Sequence, residues 1–268
     1  MRCRHDGGAC DTRSRPAGIR SLRFARGAVA LAGMMFCFLA TWATAAMTDA
    51  DPRKIFPDPK TADLAAAVAD GDVVRVRTLI AAGANPNGRG DRDVNLLEWA
   101  MLRQSPRGLE ALLDNGADAS QPAVGGATAL HMAAMANDPR YLRILLEHGA
   151  DANAPHGVTG EPPLAAALMN PDNTAFDLLL QHHADPNRTD RLGNTPLHVA
   201  AKVHKPDCVL RLLEVGADAA RRNQRGDTFQ TYFNIAPAGG FSTAAQAKHD
   251  AVHAWLSTHG VAVEGASH

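Results

Sequence analysis

One phrase returns five times along this chain, and its spacing limits the folds open to it. It reads Leu79-Ile80-Ala81-Ala82-Gly83-Ala84-Asn85-Pro86-Asn87, then Leu112-Leu113-Asp114-Asn115-Gly116-Ala117-Asp118, then Leu145-Leu146-Glu147-His148-Gly149-Ala150-Asp151-Ala152-Asn153. A degenerate copy, Leu179-Leu180-Gln181-His182-His183-Ala184-Asp185-Pro186-Asn187, puts His183 where the others carry glycine. The last is Leu212-Leu213-Glu214-Val215-Gly216-Ala217-Asp218. Positions 83, 116, 149, 183 and 216 lie 33, 33, 34 and 33 residues apart. A fixed period of this length marks a repeat array: no unit buries its own apolar face, and stacked neighbours share one interior.

A second phrase keeps the same period. Thr195-Pro196-Leu197-His198-Val199-Ala200-Ala201 is its fullest copy, and Thr128-Ala129-Leu130-His131-Met132-Ala133-Ala134 stands 67 residues earlier. Weaker copies start at Asn95 and Pro162, and Leu64, Leu97, Leu130, Leu164 and Leu197 keep step throughout. The physics fits a helix start: threonine caps an orphan N–H, and proline follows where no N–H is needed. The leucine pairs then face inward on a second helix. Glycine ends that helix in a left-handed cap, so His183 predicts a strained end. Aromatics make up only 5% of the chain, which favours small, closely packed helices over a sandwich of sheets.

These two phrases in fixed phase resemble the ankyrin-repeat family over roughly residues 61–225, with a divergent last unit to about 263. The resemblance implies an all-α solenoid of about five to six helix-turn-helix units with β-hairpin-like finger loops. The units run at about 61–89, 90–123, 124–156, 157–189, 190–222 and 223–263, after a proline-rich lead at 46–60. The last unit carries an insertion, Tyr232 to Thr243, and a closing helix, Ala244 to Thr258. Phe229, Tyr232, Phe233, Phe241 and Trp255 gather there, and both a lid over the final repeat and a binding loop are open readings.

The resemblance also implies a protein partner, held by a concave face made of the finger loops and the exposed side of each first helix. Position by position, that assigns Asp91, Arg92, Leu102, Arg103, Met135, Met169, Asn170, Arg191, Asn194, Lys202 and Arg225 to partner binding, with Val158 and Leu192 among the other finger positions. One row, Ala69, Leu102, Met135, Met169 and Lys202, holds the same place in successive units. Its three large apolar side chains read either as an exposed stripe for a partner or as core of slightly rotated helices. Trp99 reads as core. His131 and His198 read as structural, bridging loop backbones.

Ahead of the repeats, residues 1–27 hold seven arginines against Asp6 and Asp11, and Ala28 to Ala40 carries no charge. Ala43-Thr44-Ala45 follows, so residues 1–45 read as a secretory signal peptide cleaved after Ala45, with Ala46 as the second choice. The long basic region places a start near Leu22 within reach. The competing reading is an uncleaved inner-membrane anchor facing the periplasm, because Ala28 to Met47 is just long enough to span a bilayer. Phe36 before Cys37 argues against a lipoprotein. The simple signal and the missing disulfide framework point to a bacterial periplasm.

Cleavage takes Lys and Arg from 27 to 20 and Asp and Glu from 28 to 26, a net charge near −6. That is a poor match to nucleic acid or an anionic membrane, since phosphate binding needs a basic face. It also leaves Cys208 as the sole cysteine, which excludes an internal disulfide. No metal-ligand spacing, nucleophile elbow or phosphate loop occurs, so no catalytic residue, metal or cofactor is expected. A catalytic or metal site hidden in the last unit, around His249, His253 and His259, is the remaining reading of a different class. By resemblance, exported relatives suggest two finer roles: an immunity protein covering a secreted toxic effector such as a phospholipase, or an accessory protein for periplasmic catalase and peroxide resistance. Oligomeric state cannot be read from the sequence.

Overall fold

A computed structural model describes residues 51–235, 240 and 242–264, apart from the side chain of Val124. The signal-peptide and membrane-anchor readings of residues 1–45, the start of the lead at 46–50, and Pro237, Gly239 and Phe241 of the insertion lie outside the described residues.

Proline and small polar caps set where the helices start. After α1 (Pro52–Ile55), the units pair α2 (Pro59–Asp70) with α3 (Val73–Ala81), and α4 (Leu96–Leu102) with α5 (Pro106–Asp114). Next come α6 (Ala129–Met135) with α7 (Pro139–Glu147), α8 (Pro163–Ala167) with α9 (Thr174–Gln181), and α10 (Pro196–Lys202) with α11 (Pro206–Glu214). The divergent unit pairs α12 (Phe229–Phe233) with α13 (Thr243–Thr258). Asp58 caps α2, Asp72 caps α3, Asn95 caps α4 and Ser105 caps α5, each by accepting from an N–H three residues on. The helices before α13 run to at most 12 residues, too short to stand alone, so their stability comes from tertiary packing.

That packing is one continuous interior. Leu64, Leu97, Leu130, Leu164 and Leu197, the register leucines, are 0–3% exposed, and Leu112, Leu145, Leu179 and Leu212 on the second helices are wholly buried. Each such side chain contributes roughly 1.5–3 kcal/mol of transfer free energy. Trp99 is also fully enclosed; its indole Nε1–H donates to the Ala65 carbonyl at 2.9 Å, across to the first unit. Phe56, from the chain after α1, packs edge-on against it with ring centroids 5.6 Å apart. The proline-rich lead is thus part of the fold, plugging the first unit.

The helix ends bear out the reading of the repeated phrase. Positions 83, 116, 149 and 216 are glycines with positive φ, and His183 takes the same left-handed turn at φ +61°. For a residue with a Cβ that conformation costs roughly 1–2 kcal/mol. The loops that follow are bolted to one another: Asn87, Asn153 and Asn187 each accept, through Oδ1, the backbone N–H of Asp118, Asp185 and Asp218 one unit on, at 2.7 Å.

The fingers are tighter than hairpins. Among the described residues no strand forms; the bridges Arg89↔Asn95 and Pro122↔Thr128 stand singly. Each finger is closed by one backbone bond, as in Gly90 to Val94 at 2.8 Å, Asp190 to Asn194 at 2.9 Å and Asn223 to Asp227 at 3.0 Å. Backbone bonds also join neighbouring fingers: Gly157 donates to Gly126, Arg191 to Thr159 and Gln224 to Leu192, at 2.7–2.9 Å.

The last unit is closed differently. Phe229 and Phe233 are buried, as are Val252 and Leu256 of α13, which supports a lid for these residues. Beyond α13 the chain turns back as a strap. Gln230 donates through Nε2 to the Ala262 carbonyl and accepts the Glu264 N–H, both at 2.9 Å. The Glu264 carboxylate takes the Thr228 hydroxyl at 2.6 Å and the Arg222 guanidinium at 3.2 Å.

Candidate functional site

The first helices and the finger loops form one face, held in register by two histidines. His131 and His198 sit three residues into α6 and α10 and are 1% exposed. Thr128 donates its N–H and hydroxyl to His131 Nδ1, and His131 Nε2–H donates to the Glu161 carbonyl of the next finger at 2.8 Å. His198 repeats this with Thr195 and the Asp227 carbonyl at 3.0 Å. A carbonyl only accepts, so Nε2 carries the proton and both rings are neutral. Burial lowers both pKa values, His131 and His198 alike.

This arrangement fixes a pH dependence. In the unfolded chain these imidazoles titrate near pH ~6.5. In the fold they resist protonation, so below that pH the unfolded state binds more protons and is favoured. Burial acts the same way on His156 and His253. His148 opposes it: burial disfavours its charge, but the Ile144 carbonyl and the Asp114 carboxylate outweigh that and raise its pKa. The urea midpoint is expected to fall between pH 7.5 and 5.5, and the fall to shrink when His131 and His198 are both replaced by glutamine. A flat profile over that window would contradict neutral bridging histidines.

The expected partner-binding residues divide into three groups. Asp91 and Arg92 are exposed at the second unit's finger, where Arg92 adopts φ +58°, and Arg191 and Arg225 are exposed at the last two fingers. Met135 and Met169 are 48% and 50% exposed, so their part of the row is surface and not core. Leu102 and Arg103 are half-buried, with the Arg103 guanidinium 5.4 Å from the centre of the Trp99 ring. Lys202 is exposed, and its ammonium donates to Asn194 Oδ1 at 2.8 Å and lies 4.4 Å from the Tyr232 ring centre. Burial pulls its pKa down, against the pull of Asp190 and Asp227.

Two assignments are corrected. Asn170 is 5% exposed and donates to the Ala136 carbonyl at 2.9 Å, tying the third unit to the fourth. Asn194 is 7% exposed; it donates to Asp190 and accepts from Asn223 and Lys202. Both point into loop junctions and organise the face from beneath. Two finger residues that the sequence places on the face without singling them out, Val158 and Leu192, are its most exposed large apolar side chains among the described residues, at 60% and 61%. Their signal was available: each is a large apolar residue at a loop tip.

The side chains weighed for other chemistry lie as follows. His249 Nε2 meets the Phe233 carbonyl at 3.1 Å with its ring stacked 4.1 Å from Phe233, and His253 Nε2 meets Asn234 Oδ1 at 3.2 Å. His259 stacks on Trp255 at 3.9 Å. Cys208 is buried, and burial pushes its thiol up to about 11, far from a reactive thiolate. Among the described residues, no three His, Cys, Asp or Glu side chains group so as to hold a metal ion, and no helix is long and apolar enough to cross a membrane.

Three overlapping matches to the family described as ankyrin repeats (3 copies) cover residues 63–156, 98–190 and 130–223. The chain belongs to the ankyrin-repeat family. The chain is 47% identical over 142 residues to Protein PhlB of Serratia liquefaciens, covering 53% of this chain and 62% of that protein. It is 33% identical over 157 residues to the B-cell lymphoma 3 protein homolog of Mus musculus, covering 57% of this chain and 35% of that protein. The chain therefore spans less than two thirds of the length of either relative. A crystal structure of the ankyrin repeat domain of Bcl-3, a member of the IkappaB protein family, superposes with a TM-score of 0.58 at 30% identity, over 69% of this chain and 80% of that one. Ankyrin repeats imply a protein-interaction module.

Proposed function

We propose that this chain works as an exported, non-catalytic binding module in a bacterial periplasm, grasping a protein partner with its concave face and finger loops. The observation that carries the reading is the half-exposed pair Met135 and Met169, at one register position in adjacent units of a closely packed stack. Large apolar side chains left out of an otherwise well-filled interior, beside exposed finger residues, are what a protein interface needs at its centre. Methionine suits the role because its flexible thioether moulds to a partner. The export reading rests on the arginine-rich start, the uncharged run and Ala43-Thr44-Ala45, and similarity to a Serratia protein agrees with a bacterial setting.

Replacing Met135 and Met169 together with glutamate is expected to abolish partner capture from periplasmic extract, read by pulldown and mass spectrometry, while far-ultraviolet circular dichroism stays unchanged. Undiminished capture by the double variant would reject the concave face as the site. Edman sequencing of the exported protein tests the cleavage: a mature start at Ala46 is expected, and an intact N-terminus would favour the anchored form.

A further inference from the structure

The charge on the concave face is not that of the rest of the chain. Removal of residues 1–45 would leave a net charge near −6, with Lys and Arg falling from 27 to 20 and Asp and Glu from 28 to 26. Yet the end of the face formed by the last two units presents Arg191, Lys202 and Arg225. Two carboxylates beside them, Asp190 and Asp227, are hydrogen-bonded within their own units and are outnumbered by the three cations. Asp190 accepts the N–H groups of Leu192 and Asn194 and the Asn194 amide, at 2.7–2.8 Å. Asp227 takes the Tyr232 hydroxyl at 2.7 Å. Burial, and then Asp190, raise the pKa of Glu161, so its charge is disfavoured. At the opposite end the signs are mixed: Asp91 and Asp93 flank Arg92, and Asp93 lies 3.8 Å from Arg89.

Between these ends lie the exposed Met135, Met169 and Val158, while the exposed Leu192 stands next to Arg191 at the cationic end. The face is thus polar along the stack, apolar over the third and fourth units and cationic over the fifth and sixth. Resting on the reading above, we propose that its occupant is a protein segment with large apolar side chains followed by carboxylates, the apolar part seated over Met135 and Met169 and the acidic part over Arg191 and Arg225. Charge complementarity at such a rim sets specificity and encounter rate and is screened by salt. A nucleic acid would meet the same arginines, but a phosphate backbone carries no apolar side chains to fill the centre, and Asp91 and Asp93 would repel it at the far end.

The test is selection of a displayed library of random 16-residue peptides on the immobilised purified protein at low salt. It is run alongside the Met135→Glu/Met169→Glu and Arg191→Glu/Arg225→Glu variants, with Arg191→Gln/Arg225→Gln in reserve should charge reversal disturb the fingers. Expected is enrichment of peptides joining at least two large apolar residues to a run of Asp or Glu. The best of them should bind the arginine-reversed variant about tenfold or more weakly, a difference of one decade in Kd, and should weaken as salt rises. Enriched peptides that are neutral or basic, or no enrichment over bare support, would overturn the acidic occupant. Peptides that bind the methionine variant as well as the unaltered protein would instead overturn the concave-face reading itself.

Discussion

Trp99→Ala is expected to cost about 4 kcal/mol. The ring is wholly enclosed, in a closely packed interior that relaxes only in part around a deletion. Three losses add. The transfer free energy and the cavity together account for roughly 3–5 kcal/mol in such sites. The Ala65 carbonyl loses its indole donor, and Phe56 loses its edge-on partner. Because that hydrogen bond crosses from the second unit to the first, the damage should concentrate at the front of the stack. Chemical denaturation gives the total, and amide exchange should show α2 and α3 opening first. Trp99→Phe is the discriminating control. It keeps most of the ring but leaves Ala65 unpaired, for an expected loss of about 1–2 kcal/mol. Equal losses in the two variants would mean that the hydrogen bond, and not the packing, holds these units together.

Gly108→Ala should destabilise by about 3 kcal/mol, against the sign that helix propensity alone gives. Inside a helix the change normally gains roughly 0.5–1 kcal/mol. Here a Cβ on Gly108 would come 2.2 Å from the Val68 carbonyl oxygen and 2.9 Å from its carbon, both backbone atoms of α2. Backbone cannot rotate away as a side chain can. Relief requires α2 and α5 to separate, and overpacking of that kind typically costs 1–3 kcal/mol, sometimes more. Differential scanning calorimetry should show a lowered Tm. An unchanged or raised Tm would mean that the first two units slide apart without resistance.

Gly108 also shows where sequence reasoning stops. Repetition exposes what every unit shares: the register leucines, the helix-ending positive φ, the threonine–histidine bridge and the strain at His183 all follow from comparing copies. Gly108 has no such echo. The equivalent places hold Tyr141, Ala175 and Cys208, so its necessity comes from one local approach between two backbones, a distance that no pattern encodes. Asn170 and Asn194 fail for a related reason. Their register marks them as surface, but neighbouring loops fold over them, and an amide that can both donate and accept becomes the joint between units. Val158 and Leu192 were legible as finger residues; their prominence depends on how far each loop projects. The exposed methionine row sits between these cases, since the period fixes its alignment while only the rotation of the helices decides whether it faces solvent.

The strap after α13 bears on how such an array could change its size. Elsewhere the side chain of a first helix reaches a carbonyl of the following loop. In the divergent unit Gln230 finds that acceptor in Ala262, and Glu264 binds Thr228 and Arg222 beside it. An extra module appended there would have to evict contacts already made. One spliced between existing modules would meet matching surfaces on both sides, so lengthening the cradle calls for internal duplication, in whole blocks, upstream of Thr228.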